Sequence, residues 1–158
     1  MTKQREEERE TSTDKPVDLF GEFRFKVDAK GRVALPAKWR KALSKNLIVS
    51  REIEDDCIYV FETPSFNRWI EQIFEDRFDG FDAANKAQVR FRTKLKSRAD
   101  EVEPDSSGRI MLKPETREAV GIDKEVVLVG NTGYFEIWDA KAYDEAMDSI
   151  DLASIYKS

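Results

Sequence analysis

The chain has 158 residues, 40% of them hydrophobic and 37% charged, with a net charge of −5; this fits one domain or two small ones. No apolar run approaches the roughly 20 residues that span a bilayer, and none follows the charged start, so we expect neither a membrane partner nor a signal peptide. The lack of histidine and the single cysteine exclude the common catalytic triads and zinc sites, and they indicate a reducing, cytoplasmic compartment.

The first half of the chain predicts short strands and helices from residue 19 onwards. Apolar and charged residues alternate over 23–27, which is the period of a half-buried strand. Residues 28–31 have turn chemistry, and Pro36 suits the first turn of a short helix. Cys57 lies in the apolar string CIYVF, where we expect a buried, inert thiol. The other elements predicted here are strands at 32–35, 47–49 and 57–61 and an amphipathic helix that begins at Thr63-Pro64.

The second half repeats this order with local differences. Pro104 removes a hydrogen-bond donor just before the second turn, so we expect a less regular strand there. A helix is predicted from Pro114 to Val120, with Gly121 as its stop, and a longer amphipathic helix follows Asp139 as its N-cap. The stretch from Gln88 to Lys96 is compatible with either a helix or a strand. The remaining predicted strands are 109–112, 126–129 and 134–138.

The two halves are copies of one unit. DAKGRVALPAKWRKAL (28–43) aligns with DSSGRIMLKPETREAV (105–120) at an offset of 77 residues, and the same offset aligns later strand and helix residues. We therefore predict two tandem ββαβ-type repeats in a mainly β fold with capping helices. The predicted divisions are a flexible charged tail at 1–18, repeats at 19–78 and 99–150, a linker at 79–98 and a second tail at 151–158.

Charge is arranged in blocks along the chain. Residues 19–50 contain eight Lys or Arg against two Asp or Glu, and residues 86–98 contain six against none. Residues 51–85 and 118–158 are acidic, with ten and nine carboxylates against three basic residues each. Because a partner responds to the field within a Debye length of about 8–10 Å, an acidic protein of this kind can still present a basic face.

The repeated turn, Asp-x-x-Gly-Arg, has two interpretations. In the structural one, Asp28 and Asp105 accept backbone N–H groups, Gly31 and Gly108 supply a positive φ, and the arginines pair with the aspartates. In the functional one, a stiff hairpin presents Arg32 and Arg109 to guanine or phosphate. The two interpretations are compatible, because aspartate can orient arginine.

At these residues the chain resembles a known family. The segments GEFRFKVDAKGRVALPAKWRKAL and DSSGRIMLKPETREAVGIDKEVVLVGNTGYFEIWDAKAY are similar to the MraZ family over roughly residues 19–150. The resemblance implies a double-split, swapped-hairpin β-barrel and a ring of identical chains. It also implies a nucleoid-associated transcriptional repressor that binds short direct repeats in double-stranded DNA, upstream of the division and cell-wall gene cluster.

The family's DNA-contacting motif matches both turns of this sequence. It corresponds to Asp28, Lys30 and Arg32 in the first copy and to Asp105 and Arg109 in the second. Weaker phosphate contacts are predicted for four further basic residues, Lys26, Lys38, Arg40 and Arg117. Pro104, and Lys113 in the position of Pro36, predict a looser second copy.

Two other classes of function were weighed against this one. An antitoxin-like module of the AbrB superfamily would use the same fold to bind DNA and a protein partner, but such modules carry one copy and a disordered tail after it. An enzyme would need its acidic clusters, such as 54–56 and 100–103, to bind Mg²⁺, and no nucleophile or base accompanies them. We therefore predict a non-enzyme without metal, cofactor or small-molecule substrate.

Overall fold

The strands form two antiparallel sheets in a computed structural model that describes residues 15–158. The larger sheet has six strands in the order β1-β7-β8-β4-β3-β5, and the smaller pairs β2 with β6. The large sheet is open, because β1 and β5 are its edges. The strands are β1 (Glu22–Lys26), β2 (Arg32–Ala34), β3 (Leu47–Arg51), β4 (Ile58–Glu62), β5 (Asp100–Val102), β6 (Arg109–Met111), β7 (Glu125–Gly130) and β8 (Tyr134–Asp139).

Helices follow the strands where the sequence provides start signals. Pro36 precedes the first helix, Pro64 lies in the first turn of the second, and the Asp139 carboxylate accepts from the Ala142 N–H at the start of the fifth. The described helices are α1 (Ala37–Ala42), α2 (Thr63–Phe78), α3 (Lys86–Ser97), α4 (Pro114–Ala119), α5 (Ala140–Asp148) and α6 (Leu152–Lys157). Within residues 15–158, none of these helices has the length and apolar character needed to cross a bilayer.

The two repeats exchange strands. The first strand of each repeat pairs with the other repeat, β1 with β7 and β5 with β3, and β2 pairs with β6. In the small sheet Val33 lies opposite Ile110, and in the large sheet Tyr59 lies opposite Glu136. Both pairs are equivalent positions at the offset of 77, so a pseudo-twofold axis passes through the two ladders. Because β2 and β6 are antiparallel, the two turns lie at opposite ends of the β2–β6 ribbon, which is only three residue pairs long.

The main core lies between the large sheet and the ribbon. Because side chains alternate across a strand, Leu47 and Val49 face this core while Ile48 faces the opposite side. Val33 and Ile110 contribute from the ribbon, and Trp39 contributes from α1. A second cluster joins the other face of the sheet to α2 and α3, and a third, smaller one packs α5 on Val127. The two turns thus flank a ribbon that is held by the main core.

The structure confirms the predicted α+β content, but the fold is mixed α+β and not mainly β, because the described helices contain more residues than the described strands. Cys57 is buried as expected, and burial, with the nearby Glu136 carboxylate, raises the pKa of its thiol. The uncertain stretch from Gln88 to Lys96 is helical, inside the segment predicted as a linker, and the predicted tail at 151–158 contains α6. Most of the tail predicted at 1–18 lies outside the described residues.

Candidate nucleic-acid interface

The first turn is organised around one carboxylate. Asp28 Oδ1 accepts the backbone N–H groups of Lys30 and Arg32, each at 2.9 Å. The Gly31 N–H donates to the Asp28 carbonyl at 3.0 Å, and the Asp28 N–H donates to the Arg32 carbonyl at 3.0 Å. Gly31 has a φ of +83°, a conformation that L side chains rarely adopt. The Asp, Gly and Arg of the Asp-x-x-Gly-Arg pattern therefore each stabilise the turn.

The second turn has the same construction. Asp105 Oδ1 accepts the N–H groups of Ser107 and Arg109 at 2.9 Å each, and Gly108 has a φ of +75°. The expectation of a looser second copy is wrong for the turn itself, because these bonds begin only at Asp105 and need no donor from Pro104. It is correct for the preceding strand, since β5 has three residues where β1 has five.

The arginines and aspartates of the two turns form one cluster of four charges. Arg32 Nε donates to Asp28 Oδ2 at 2.8 Å, and Arg109 Nε donates to Asp105 Oδ2 at 3.1 Å. Each arginine also reaches the other repeat: Arg109 Nη1 lies 3.5 Å from Asp28 Oδ2, and Arg32 Nη1 lies 3.8 Å from Asp105 Oδ2. We call these four residues the Asp–Arg cluster. Its two positive and two negative charges cancel. The cluster therefore presents two rigidly held guanidinium groups without being a strongly positive patch.

The guanidinium groups remain accessible at the surface. The side chains of Arg32 and Arg109 are 25% and 33% exposed, and within residues 15–158 the Nη2 atoms of both donate no hydrogen bond. The arginines lie together, as predicted, but they are anchored to carboxylates. The Nε of each guanidinium is used inside the cluster, and the Nη2 groups are available to a ligand.

Backbone hydrogen bonds keep both aspartates ionised. The N–H of Arg32 is the main cause that lowers the pKa of Asp28, and the N–H of Arg109 has the same effect on the pKa of Asp105. The adjacent guanidinium groups lower both pKa values further. The cluster therefore keeps its four charges at neutral pH.

Arg40 and Arg117 hold the turns across the two repeats. Arg40 Nη1 donates to the Ser107 carbonyl at 3.3 Å, and its side chain occupies the space that a Cβ at Gly108 would need. In the equivalent position, the Arg117 guanidinium lies over Gly31 and its Nε donates to the Leu112 carbonyl at 3.1 Å. These two arginines, predicted as phosphate contacts, are thus tied to backbone carbonyls that frame the cluster.

Comparison with known proteins identifies the family. The MraZ family model, described as “MraZ protein, putative antitoxin-like”, matches residues 19–91 and 95–157. The chain belongs to the MraZ family. The two matched segments meet on α3, so each contains one of the two turns.

Curated MraZ relatives match most of the chain. A protein of Saccharopolyspora erythraea named transcriptional regulator MraZ is 35% identical over 130 residues, which is 82% of this chain and 87% of the relative. The protein of the same name from Idiomarina loihiensis is 32% identical over 129 residues, 79% of this chain and 82% of the relative. The one from Natranaerobius thermophilus is 35% identical over 126 residues, 80% of this chain and 84% of the relative.

The predicted lysines lie at different distances from the cluster of this MraZ chain. Lys30 is exposed at the tip of the first turn, Lys26 ends β1 opposite Glu125, and Lys38 is exposed on α1. Among residues 15–158, none of these three side chains forms an ion pair or hydrogen bond. Lys30 belongs to the first turn and so extends the Asp–Arg cluster directly, whereas Lys26 lies on β1 and Lys38 on α1.

One basic residue near the cluster was missed at the level of sequence. Lys45 lines a cleft of about 360 Å³ together with Arg40, Asp105 and Ser106. Lys45 lies three residues after the end of α1. The only signal for it in the sequence was the excess of basic residues over 19–50. The predicted acidic clusters have no such organisation: Asp55 pairs with Arg51 at 3.5 Å, and no group of metal-ligating side chains forms in the described part of the chain.

Proposed function

We propose that this chain is a non-enzymatic, sequence-specific transcriptional regulator that binds double-stranded DNA through its two turns. One observation carries the proposal: Arg32 and Arg109, from different repeats, meet in one rigid cluster beside the β2–β6 ribbon. The relatives' printed name, transcriptional regulator MraZ, supports the regulatory class.

The Asp–Arg cluster acts by preorganisation. Arginine recognises guanine or phosphate through two parallel N–H donors whose orientation must be fixed. Here Asp28 and Asp105 bind the Nε of each guanidinium and so fix its plane. Little side-chain entropy is therefore lost when the remaining N–H donors bind DNA. Since the carboxylates neutralise the cluster, it adds little to non-specific attraction for polyanions and favours sites where its donors match base edges.

Non-specific attraction comes from the surrounding lysines. Lys30 contacts the phosphate beside the base that the first turn contacts, and Lys26 and Lys38 contact more distant phosphates. Such contacts set the salt dependence of binding without selecting a sequence. Arg40 and Arg117 support the turns and reach phosphate only as weaker contacts.

The fold, assembly and regulatory role that the family resemblance implies extend this proposal. The open sheet and the ribbon together correspond to a double-split, swapped-hairpin barrel, with repeats at 19–78 and 99–150. Identical chains form a ring, so several turn pairs engage short direct repeats at once and avidity replaces a large single interface. The regulator acts as a repressor at the nucleoid, in the cytoplasm, upstream of the division and cell-wall gene cluster.

A binding measurement tests the proposal. The DNA immediately upstream of the chain's own gene is labelled, and fluorescence anisotropy at two salt concentrations compares the parent with Arg32→Ala and Arg109→Ala. We expect each substitution to cost about 1–3 kcal/mol of binding free energy. Arg77→Ala is the matched control, since Arg77 is an exposed arginine on α2, which packs on the other face of the sheet.

Parent-like binding by Arg32→Ala would overturn the proposal. A second outcome favours the antitoxin-like alternative: a different polypeptide that co-purifies with the chain at equal stoichiometry and is required for DNA binding.

A further inference from the structure

Helix α6 carries large apolar side chains that no described residue covers. Leu152 is 79% exposed, Ile155 60% and Tyr156 91%. An isolated helix shorter than about 12–15 residues is marginal in water, and α6 has only six residues. Clustered exposed apolar side chains of this kind mark a surface that binds a partner.

Acidic residues lie just before these apolar side chains in the chain. Asp148 is exposed one turn before α6, and Glu145 is exposed on α5. Neither carboxylate forms an ion pair among residues 15–158, in contrast to Asp144, which is bound by Arg24 at 2.6 Å. Asp151 accepts the Ser154 N–H at the start of α6. Residues 145–156 therefore form an apolar segment with a negative border, which we call the acidic segment.

A cleft beside α3 has the complementary character. It has a volume of about 460 Å³ and presents the apolar side chains of Phe81 and Val89. Phe78, on the neighbouring helix α2, is also exposed. The remaining lining residues are Arg92, Thr93, Lys96 and Ser97.

Positive charge borders this cleft. Lys86, Arg90 and Lys94 recur every four residues and so form one stripe along α3. All three are exposed, and within the described part of the chain they form no ion pair. The other basic residues of the helix are already engaged: Arg92 pairs with Glu71 at 3.1 Å, and Lys96 donates to Asn67 at 2.9 Å. The free positive charge thus lies on the rim of an apolar cleft.

We propose that the acidic segment of one chain docks into the α3 cleft of a second copy. Apolar side chains of α6 would cover Phe81 and Val89, while Glu145 and Asp148 would lie against Arg90 and Lys94. The two surfaces are different parts of the chain, so the contact is head-to-tail, and repetition of such a contact closes a ring when the rotation permits. The inference rests on the homo-oligomer in the proposed function and assigns its interface.

DNA is a less suitable occupant of the cleft. Phosphates would match the basic stripe of Lys86, Arg90 and Lys94, but they would leave Val89 and the apolar residues of α6 exposed. The cleft also belongs to the layer on the opposite face of the sheet from the β2–β6 ribbon. A second copy satisfies both the charges and the apolar surfaces.

A charge-exchange experiment tests the pairing. One double variant reverses the cleft rim (R90E/K94E), and the other reverses the acidic segment (E145K/D148K). Light scattering after gel filtration gives the mass of each variant, of the parent and of a 1:1 mixture. Each variant alone places like charges together, so we expect its assembly to weaken by about tenfold or more.

The mixture gives the decisive result. In alternating order, every interface joins opposite charges, so the 1:1 mixture should recover the parent mass. Glu54→Lys, an exposed reversal in the loop between β3 and β4, is the control and should leave the parent mass unchanged. L152S/I155S should also dissociate the assembly, and it does not disturb the core because both side chains are exposed.

Three results would each overturn the inference. The parent could have the mass of a single 18.3 kDa chain, both reversed variants could assemble like the parent, or the 1:1 mixture could stay dissociated. DNA binding separates this failure from that of the proposed function. Binding to a fragment with a single repeat should be unchanged in R90E/K94E, and R32A should lose that binding while keeping the parent mass. Loss of single-repeat binding in R90E/K94E would indicate that the α3 stripe contacts DNA and would also overturn the inference.

Discussion

The two turns have the same internal geometry in different surroundings. The largest difference between equivalent hydrogen bonds at the aspartates is in the Arg Nε contact, 2.8 Å in the first turn and 3.1 Å in the second. Outside the turns, α1 buries Trp39 whereas α4 buries no residue. At the tips of the turns, Lys30 in the first repeat corresponds to Ser107 in the second. The Asp-x-x-Gly-Arg pattern therefore determines the turn, and its surroundings determine how much each repeat contributes to the core and to charge.

The largest expected difference concerns stability. Trp39 contacts the rings of Phe23 and Phe135, with centroids at 5.2 and 5.0 Å, so Trp39→Ala leaves a cavity and should cost about 3–5 kcal/mol of unfolding free energy. Thr116, the equivalent residue of α4, is only partly buried, and Thr116→Ala should cost under about 1 kcal/mol. Urea unfolding measures both. Equal losses would contradict the asymmetry of the repeats.

The turn glycines give the next largest effect. Alanine at a positive φ costs about 1–2 kcal/mol, and Gly121, with open space around its missing side chain, measures that strain alone. Gly31→Ala should cost more than Gly121→Ala, because a Cβ at Gly31 would lie 3.1 Å from the Leu112 carbonyl oxygen. Gly108→Ala displaces the Arg40 side chain, so it should also cost more stability than Gly121→Ala. This additional loss of stability should disappear when Arg40 is also replaced by alanine. Thermal unfolding of the five variants tests this, and identical costs for all three glycines would contradict it.

The dependence of folding stability on acidic pH tests the charges of the Asp–Arg cluster. The pKa values of Asp28 and Asp105 are lower in the folded protein than the ordinary value of about 3.9. The stability that they contribute is therefore present above about pH 4 and is lost as the pH falls through the folded pKa. Asp28→Asn with Asp105→Asn should flatten the acid limb of the stability curve, whereas Asp123→Asn, an exposed control, should not. An acid limb unchanged by the double variant would show that the cluster is not coupled to folding.

Substitutions at the tips of the two turns should have the smallest effect, and they act on DNA binding. Lys30→Ser should weaken DNA binding by less than about tenfold and reduce the slope of log affinity against log salt by about 0.9, because one phosphate contact is lost. Ser107→Lys should increase the slope by a similar amount. Anisotropy titrations over a range of salt measure both, and equal slopes in all variants would show that the tips do not reach phosphate.

Much of the fold could be predicted from the sequence because the signals were local. The 77-residue offset identified both turns, Pro36 and Pro114 marked helix starts, and Asp139 was correctly predicted as an N-cap. The stretch 88–96 could not be assigned, because the few apolar residues among its charges, such as Phe91 and Leu95, become informative only once α2 packs against them.

The residues of the candidate site could be predicted from the sequence, but the contacts between the two repeats could not. Residue types suggested that Asp28 pairs with Arg32, and the structure contains this pair. The cross-repeat contacts of Arg109 with Asp28 and of Arg40 with Gly108 depend on the register of β2 with β6. Register between distant strands is set by tertiary packing, and a single sequence does not reveal it.

In the proposed function, the paired guanidinium groups of Arg32 and Arg109 select a DNA sequence. The most direct measurement is the ratio of affinities for the fragment upstream of the gene and for a scrambled fragment of equal length, in the parent and in R32K/R109K. Lysine keeps the charge but lacks two fixed parallel donors, so the parent ratio, of the order of 10³ or more, should fall to within about tenfold of unity. Affinity for the scrambled fragment should change little. A ratio that stays at the parent value in R32K/R109K would contradict the account.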